Sequence, residues 1–353
     1  MNYFHHSSAL CTALCTVSAA ILLSSCNPSA SSNPEPQGKD FQMLATILDA
    51  LGQQGYNQLR MPDPHELAAI PQDPNNPITH QKVSLGRMLF HETALGMDAA
   101  EDVGIGTYSC ASCHHASAGF QAGVQQGLGD GGVGFGVRGE GRVISPDYDP
   151  TEIDRQPMRS PTAMNGAFTP VTLWNGQFGA HGPNVGTEAL WTEGTPLAVN
   201  YLGYLGLETQ AIAGLTVHRM APTPNFFVHM PEYVALFDAA FPDVDEDDRY
   251  SVEMAGLAIA AYERTIMASE SPFQRWLNGE HSAMTSHQKD GAMVFFGAAK
   301  CGTCHNGPAL TDGGFHALGM PDMPSSEVLD ATGEDYGMSS ADAALGRGGF
   351  TGV

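Results

Sequence analysis

The chain has 353 residues, of which 42% are hydrophobic and 15% are charged. It is therefore long enough for two ordinary domains of ~100–200 residues each. The 15 Lys and Arg against 38 Asp and Glu give a net charge of −23, which argues against a nucleic-acid partner because phosphate backbones bind positive surfaces. Forty-one Gly and 23 Pro predict many irregular connections and disfavour regular sheets and long coiled coils.

The N-terminal segment predicts export. Residues 9–23 are apolar, but the run is shorter than the ~20 residues of a membrane-spanning helix and is typical of a signal peptide, here 1–25. Leu23-Ser24-Ser25-Cys26 resembles the bacterial lipoprotein box, so we expect a periplasmic protein anchored to the outer membrane by lipidated Cys26. A soluble periplasmic protein cleaved nearby is the alternative. Residues 26–39 carry no apolar anchors and are predicted to be a flexible tether.

Apolar periodicity predicts several helices in the body of the chain. The spacing from Phe41 to Leu51 indicates a helix that ends at Gly52 and Gly55. Residues 82–90 are compatible with a second helix, and residues 254–266 predict a third with one apolar face. Thr285 and Gln288 resemble a capping box for a helix that runs through Phe296.

Residues 127–142 contain eight glycines, too many for a regular helix or strand, so we expect a mobile or tightly turned loop. Within it, residues 134–139 match the letters of a dinucleotide-binding fingerprint. Neither a β-branched run before it nor a helical pattern after it accompanies the match, so the sequence does not predict a nucleotide site.

The cysteines carry the strongest signal. Three of the seven belong to the export segment, and the other four form two Cys-x-x-Cys-His motifs, Cys110-Ala-Ser-Cys113-His114 and Cys301-Gly-Thr-Cys304-His305. This pattern is the signature of covalent c-type haem attachment. Two thiols on one turn can each add to a haem vinyl group, and the next histidine then faces the iron. Structural zinc or a thioredoxin-like redox pair is the competing interpretation, but neither needs a histidine after both pairs.

The chain resembles the bacterial di-haem cytochrome c peroxidase family, which includes the MauG-like enzymes. The resemblance rests on short segments in a fixed order, namely Leu85–Phe90, Met158–Thr162, Asn165, Trp174–Gly176, Leu207–Ala211, Ala260–Thr265, Ser271–Gln274, Cys301–Leu310 and Phe315-His316. It implies a mainly α fold of two cytochrome c-like haem domains with long irregular loops. Residues 40–245 would form the peroxidatic domain, with His114 as iron ligand. Residues 246–353 would form the electron-receiving domain, with His305 as iron ligand.

The resemblance also implies roles near the first haem. Trp174 matches a tryptophan that lies between the haems, and Gln210 matches an active-site glutamine, although residues 176–204 contain an insertion relative to the family. The family's catalytic glutamate corresponds to Met220, so we expect no carboxylate there. We hypothesise that His218 and Arg219 replace it, because a histidine can transfer the proton and an arginine can stabilise the departing oxygen. A surface position or contact with a haem propionate is the alternative for both.

The distal ligand of the first haem is less defined. Many family members have a histidine some fifteen residues after the motif, but residues 116–142 contain none. The sequence suggests an open site or a ligand from another loop, with His91 and His181 as candidates. The resemblance also allows a bridging calcium ion and a homodimer.

The functional hypothesis is an exported c-type cytochrome peroxidase. It would reduce hydrogen peroxide to water with electrons from a small cytochrome c or cupredoxin, and the acidic surface favours a basic donor. A MauG-like protein-modifying oxidase and a di-haem electron carrier without peroxidase activity are the alternatives. Family members continue past a segment resembling Leu345–Arg347, and Met320, Met323 and Met338 do not match the position of the family's sixth ligand. We therefore expect the second haem domain to be truncated.

Overall fold

A computed structural model describes residues 37–124, 127–155, 159–220, 222–319 and 345–352. The predicted signal peptide, nearly all of the predicted tether and the three methionines considered as ligands lie outside the described residues. Within these ranges no helix is long and apolar enough to cross a membrane.

The described chain is mainly helical, as the sequence predicts. Its α-helices are α1 Lys39–Gln58, α2 His80–His91, α3 Gly206–Val217, α4 Pro224–Val228, α5 Pro231–Ala240, α6 Glu246–Arg249, α7 Val252–Arg264, α8 Pro272–Leu277, α9 Ser286–Met293 and α10 Arg347–Thr351. The predicted helices at 82–90 and 254–266 are confirmed as α2 and α7. The capping box of Thr285 and Gln288 is confirmed at the start of α9, which passes at Val294–Ala298 into one π-helical turn.

Two expectations about glycine are corrected. The first helical segment of α1 ends at Gly52 as predicted, because φ there is 68° and the backbone is not helical, but a second helical segment follows directly and runs past Gly55 to Gln58. The glycine-rich segment is tightly turned, but it also contains strand β1, Gly132–Val133, which pairs antiparallel with β2, Val143–Ile144. Glycine permits the kink and the turns because it tolerates positive φ, and the neighbouring hydrogen bonds allow regular structure to resume.

The larger core lies where α2 and α3 pack against α7. Helix α7 presents small residues, so the three backbones approach closely. A β-carbon on Gly86 of α2 would overlap the Ala258 carbonyl, and one on Gly256 would lie 2.8 Å from the backbone nitrogen of Ile212 in α3. This core holds the first Cys-x-x-Cys-His motif, since Cys110 and Phe120 pack against it.

A buried ion pair joins α3 to α7. The carboxylate of Glu208 and the guanidinium of Arg264 are both fully buried and form two hydrogen bonds of 2.8 and 2.6 Å. Arg264 also donates to the Pro71 carbonyl at 3.0 Å, and Asn76 donates to Glu208 at 3.3 Å. Lys82 of α2 donates to Asn76 at 2.8 Å. The connection between α1 and α2, which contains Pro71 and Asn76, is thus fixed to all three helices.

A second cluster surrounds the second motif. Its buried side chains come from α1, α8, the π-helical turn after α9 and two adjoining connections, and they are Met43, Ile47, Leu59, Trp276, Leu277, Met284 and Phe296. Asp40 of α1 accepts hydrogen bonds from Trp276 at 2.7 Å and forms an ion pair with Lys289 at 2.6 Å. Helix α1 therefore packs with the C-terminal motif, while α7 packs with the N-terminal one. The division into haem domains at residue 245 stays a prediction, but the two cores do not follow that boundary.

Replacing Glu208 by glutamine should destabilise the protein by about 3–5 kcal/mol, because it leaves the buried Arg264 cation without its counter-charge. The free energy of unfolding in denaturant measures this effect. Glu280→Gln is the matched control, since its pair with Arg275 is exposed and we expect little change there. Equal losses in both variants would contradict the role of the buried pair.

Gly86→Ala should cost about 1–3 kcal/mol, because the added methyl group would force α2 away from α7. Gly291→Ala is the control, because Gly291 lies on the exposed side of α9 with no atom within 4 Å of an added β-carbon. Alanine is favoured in helices, so this control should gain about 0.5–1 kcal/mol. Thermal and denaturant unfolding measure the two changes in stability, which should have opposite signs.

Candidate functional site

The two Cys-x-x-Cys-His motifs have the same local structure. Each begins in one 3₁₀ turn, Cys110–Ser112 or Cys301–Thr303. The amide of His114 donates to the Cys110 carbonyl at 3.0 Å, and the amide of His305 donates to the Cys301 carbonyl at 2.9 Å. The repeat in sequence is therefore a repeat in backbone geometry.

The orientation of both histidines suits an iron ligand. Nδ1 of His114 donates to the Phe120 carbonyl at 3.0 Å, and Nδ1 of His305 donates to the Leu310 carbonyl at 3.1 Å. With Nδ1 protonated, Nε2 of a neutral imidazole carries the free lone pair for a metal. Burial lowers the pKa of His114, which favours this neutral form. Phe120 and Leu310 both have positive φ, 56° and 54°, so each supporting carbonyl comes from an uncommon left-handed residue.

The four cysteines of the described chain are free thiols. Burial raises the pKa of both Cys110 and Cys113 to about 12. A redox-active or zinc-binding pair needs accessible thiolate, which is favoured by a lowered pKa. A raised pKa does not favour a thioredoxin-like role for Cys110 and Cys113, and the histidine after each pair matches the haem-attachment motif. The residues that would hold the haems are Cys110, Cys113, His114, Cys301, Cys304 and His305.

His218 and Arg219 follow the end of α3, and each contacts a carboxylate. Nδ1 of His218 donates to Asp154 at 2.8 Å, and Arg219 donates to Asp130 at 2.6 Å. Position 220 offers no carboxylate, as expected, but two carboxylates from distant parts of the chain reach the neighbouring His218 and Arg219. Met220 itself is buried in the apolar core. Asp130 belongs to the glycine-rich segment, 89 residues before Arg219, and Asp154 belongs to the loop after that segment, 64 residues before His218.

Arg219 is held in place by a buried network around Asp130. The Asp130 carboxylate is fully buried and accepts hydrogen bonds from the Ala100 amide at 2.8 Å and the Tyr148 hydroxyl at 2.5 Å. The Tyr108 hydroxyl donates to the Arg219 carbonyl at 2.8 Å. Hydrogen bonding to Asp130 and its charge outweigh burial and raise the pKa of Arg219, so the guanidinium stays cationic.

These residues lie beside the first motif. The positive charge on His218 contributes to lowering the pKa of His114, and the charge of Asp154 contributes to raising that of Cys113. A β-carbon on Gly127 would lie 2.6 Å from the Cys113 β-carbon, so the glycine-rich segment passes directly over the cysteine. A β-carbon on Gly129 of the same segment would overlap a carboxylate oxygen of Asp154, so one stretch of chain contacts both Cys113 and the partner of His218.

The other sequence-predicted residues occupy different surroundings. Gln210 is half-buried in α3, about two turns before His218. Trp174 is 60% exposed in a loop. His91 bonds the Arg87 carbonyl at 2.9 Å, and His181 bonds the Gly203 carbonyl at 2.8 Å. The partner of His91 lies one turn earlier in α2, and the partner of His181 lies at the far end of the insertion, so their role as distal ligands stays a prediction.

Sequence reasoning missed Asp130, Asp154 and Glu263. Burial raises the pKa of Glu263 in α7 to about 8, and its charge acts on Cys110. Near the second motif, Cys304, Asp312 and His316 offer ligand atoms within 4.8 Å of one another. Calcium prefers six to eight oxygen ligands, so this group does not match the calcium expectation. No local sequence pattern predicts that these acidic residues lie near the motifs. The spacing of Asp312 and His316 is the exception.

Comparison with known proteins places the chain in a family. The family described as di-haem cytochrome c peroxidase matches residues 80–282. The chain is 30% identical to cytochrome-c peroxidase IdrP2 of Denitromonas iodatirespirans, over 70% of this chain and 53% of the relative. It is 27% identical to methylamine utilization protein MauG of Methylorubrum extorquens, over 71% and 57%. It is 26% identical to cytochrome c551 peroxidase of Pseudomonas aeruginosa, over 83% and 70%.

The chain thus spans little more than half the length of the first two relatives. The match nevertheless covers over half of this chain, and it includes the first haem motif and the helices that support it. Family membership implies haem c cofactors, and the paired motifs provide residues that fit two of them. The chain belongs to the di-haem cytochrome c peroxidase family.

Proposed function

We propose that the protein is a peroxidase that reduces hydrogen peroxide to water with two electrons from a small redox protein. The observation that carries this proposal is that the glycine-rich segment, which packs on Cys113 of the first haem motif, also meets two charged pairs, His218 with Asp154 and Arg219 with Asp130. The balanced reaction consumes one peroxide, two electrons and two protons and yields two waters. A bound haem would supply an iron centre that binds peroxide and accepts electrons.

His218 supplies the proton transfer. Its Nδ1 is occupied by Asp154, so Nε2 is the atom that takes a proton from one peroxide oxygen and delivers it to the other. Asp154 fixes the tautomer and stabilises the imidazolium that forms, as a buried carboxylate does for a catalytic histidine. Arg219 stabilises the negative charge on the departing oxygen, because its network with Asp130 holds the cation in position before reaction.

The remaining roles follow from the family resemblance. Gln210 would orient peroxide, and Trp174 would conduct electrons from the second haem, held by His305, to the first, held by His114. We also propose export to the periplasm and anchoring through Cys26, as the N-terminal sequence predicts. The net charge of −23 favours a basic cytochrome c or cupredoxin as electron donor.

A MauG-like oxidase remains the second candidate, because the relatives include MauG proteins at 27% and 26% identity. The two functions share the first haem site and differ in the electron source. A peroxidase takes electrons from a reduced donor, whereas a MauG-like enzyme takes them from the protein that it modifies. Peroxide consumption that depends on a small reduced donor supports the first proposal.

Purified exported protein should contain two covalent haems, and Cys110→Ala with Cys113→Ala should contain one. Cys301→Ala with Cys304→Ala should also contain one, because each pair of thiols forms the bonds to its own haem. Haem staining after denaturing electrophoresis and the alkaline pyridine spectrum count these groups. Zinc in place of haem, or two haems in either double variant, would contradict the assignment.

His218→Ala should lower kcat/KM for peroxide by about 10²–10⁴-fold, because the proton transfer loses its base. His229→Ala is the control, since that histidine is exposed and bonds only within its own helix turn at Asn225. Both variants are compared at equal haem content. Unchanged turnover in fully loaded His218→Ala protein would refute the role of His218.

The pH dependence tests the pair with Asp154. Burial lowers the pKa of His218, but the charge and hydrogen bond of Asp154 outweigh it, so the pKa lies above 6.5. A base must be unprotonated, so kcat/KM should rise with pH through this raised pKa. Asp154→Asn removes the raising charge and should move the rise to lower pH. Asp149→Asn, in the same loop but exposed, should leave the profile in place, and a profile unaffected by Asp154→Asn would contradict the pairing.

A further inference from the structure

The loop that carries Trp174 is contacted by the C-terminal helix of the described chain. Gly346, just before α10, faces the indole, and a β-carbon there would lie 2.7 Å from Nε1 of Trp174. Gly346 also has a positive φ of 56°. Only glycine meets both conditions without strain. Trp174 is 60% exposed, and the backbone at Gly346 covers one part of its indole.

Arg347, the next residue, ties the same loop to its surroundings. Its NH1 group donates to the side-chain oxygen of Asn184 at 2.6 Å and to the Gly176 carbonyl at 3.3 Å. Its NH2 group donates to the Pro183 carbonyl at 2.6 Å. The guanidinium lies 5.0 Å from the ring centre of Phe315, which adds a cation–π contact. One side chain therefore links α10, the Trp174 loop and the segment after the second haem motif.

Asn184 completes the connection from the insertion at residues 176–204. It is fully buried, and its amide donates to the carbonyls of Gly176 and Gly179 at 2.8 Å each. Its side-chain oxygen accepts from Arg347, so both ends of the amide are used. A buried amide with these partners is costly to remove, because the carbonyls would lose their donors.

We propose that Gly346, Arg347 and Asn184 form a bracket that positions Trp174, and that the rate of electron exchange between the two haems depends on this bracket. The inference rests on the proposed role of Trp174 as the residue between the haems. It assigns a function to the insertion and to α10. Their contacts hold the indole of Trp174 in place, and the position of the indole affects the rate of electron exchange. The three are positioning residues, since they act on electrons only through the indole.

Gly346→Ala and Gly352→Ala form a matched pair for the test. Both glycines flank α10 and have positive φ, 56° and 73°, so alanine strains the backbone in both. Only at Gly346 does the new β-carbon meet Trp174, because an added β-carbon at Gly352 has no atom within 4 Å. Any difference between the two variants therefore reports the contact with the indole.

Two measurements on the di-haem protein report the position of the Trp174 indole and its effect on electron exchange. With 5-fluorotryptophan incorporated, the ¹⁹F resonance of Trp174, assigned through Trp174→Phe, reports the indole independently of activity. Electron exchange between the haems is followed by absorbance after flash reduction with a photoexcited ruthenium complex. We expect Gly346→Ala to shift the resonance and slow exchange at least tenfold, and Gly352→Ala to leave both within twofold or within linewidth of the parent.

Asn184→Asp and Arg347→Lys provide a second pair if Gly346→Ala fails to load haem. Aspartate replaces the amide donor with an acceptor facing two carbonyls, and lysine keeps the charge but loses the two-armed contact. Both should shift the Trp174 resonance and slow exchange. A shifted resonance with unchanged exchange would overturn the inference, as would an unshifted resonance in all three bracket variants.

The proposed peroxidase activity is judged separately by peroxide turnover of the parent protein. If the parent shows no turnover while bracket variants still shift the resonance and slow exchange, the proposed function fails and the bracket stands. If the parent turns over peroxide and Gly346→Ala matches Gly352→Ala in both measurements, the bracket fails and the proposed function stands.

Discussion

The ion pair between Glu208 and Arg264 is the interaction on which the rest of the first core depends. Both groups are excluded from water, and such charges are tolerated only when they satisfy each other and their neighbours. The pair fixes the distance between α3 and α7, and through Asn76 and Lys82 it also fixes α2. Since His218 and Arg219 follow α3 directly, the same pair sets where the candidate catalytic groups emerge from the core.

The two haem motifs have the same local backbone structure, but the residues packed around them differ. In both, a histidine donates to the carbonyl of a residue with positive φ. Both motifs lie against apolar clusters, but the first has Asp154 and its partner His218 nearby, whereas the second has Asp312 and His316 close to Cys304. One local structure can therefore serve different chemistry, because the surroundings decide which charges reach each histidine.

Local signals in the sequence predict much of this structure, and long-range pairings account for what they miss. Helices α2 and α7, the capping box at Thr285 and both Cys-x-x-Cys-His motifs depend on residues a few positions apart, where spacing determines contact. The partners of His218 and Arg219 lie 64 and 89 residues away, and no periodicity relates them. The glycine at position 52 correctly predicts the break in α1, but the spacing of apolar residues gives no signal for the helical segment that follows it to Gln58.

The insertion at residues 176–204 is closed at its base by two buried asparagines. Asn184 binds Gly176 and Gly179, and Asn200 accepts from the Gly179 amide and donates to the Gln177 carbonyl. The residues between the asparagines thus form a loop with fixed ends. Doubling such a loop costs only about 0.6 kcal/mol in closure entropy. The length and surface residues of the outer part of this loop can therefore vary during evolution without moving Trp174. Variation there leaves the buried asparagines and the backbone that they bind unchanged.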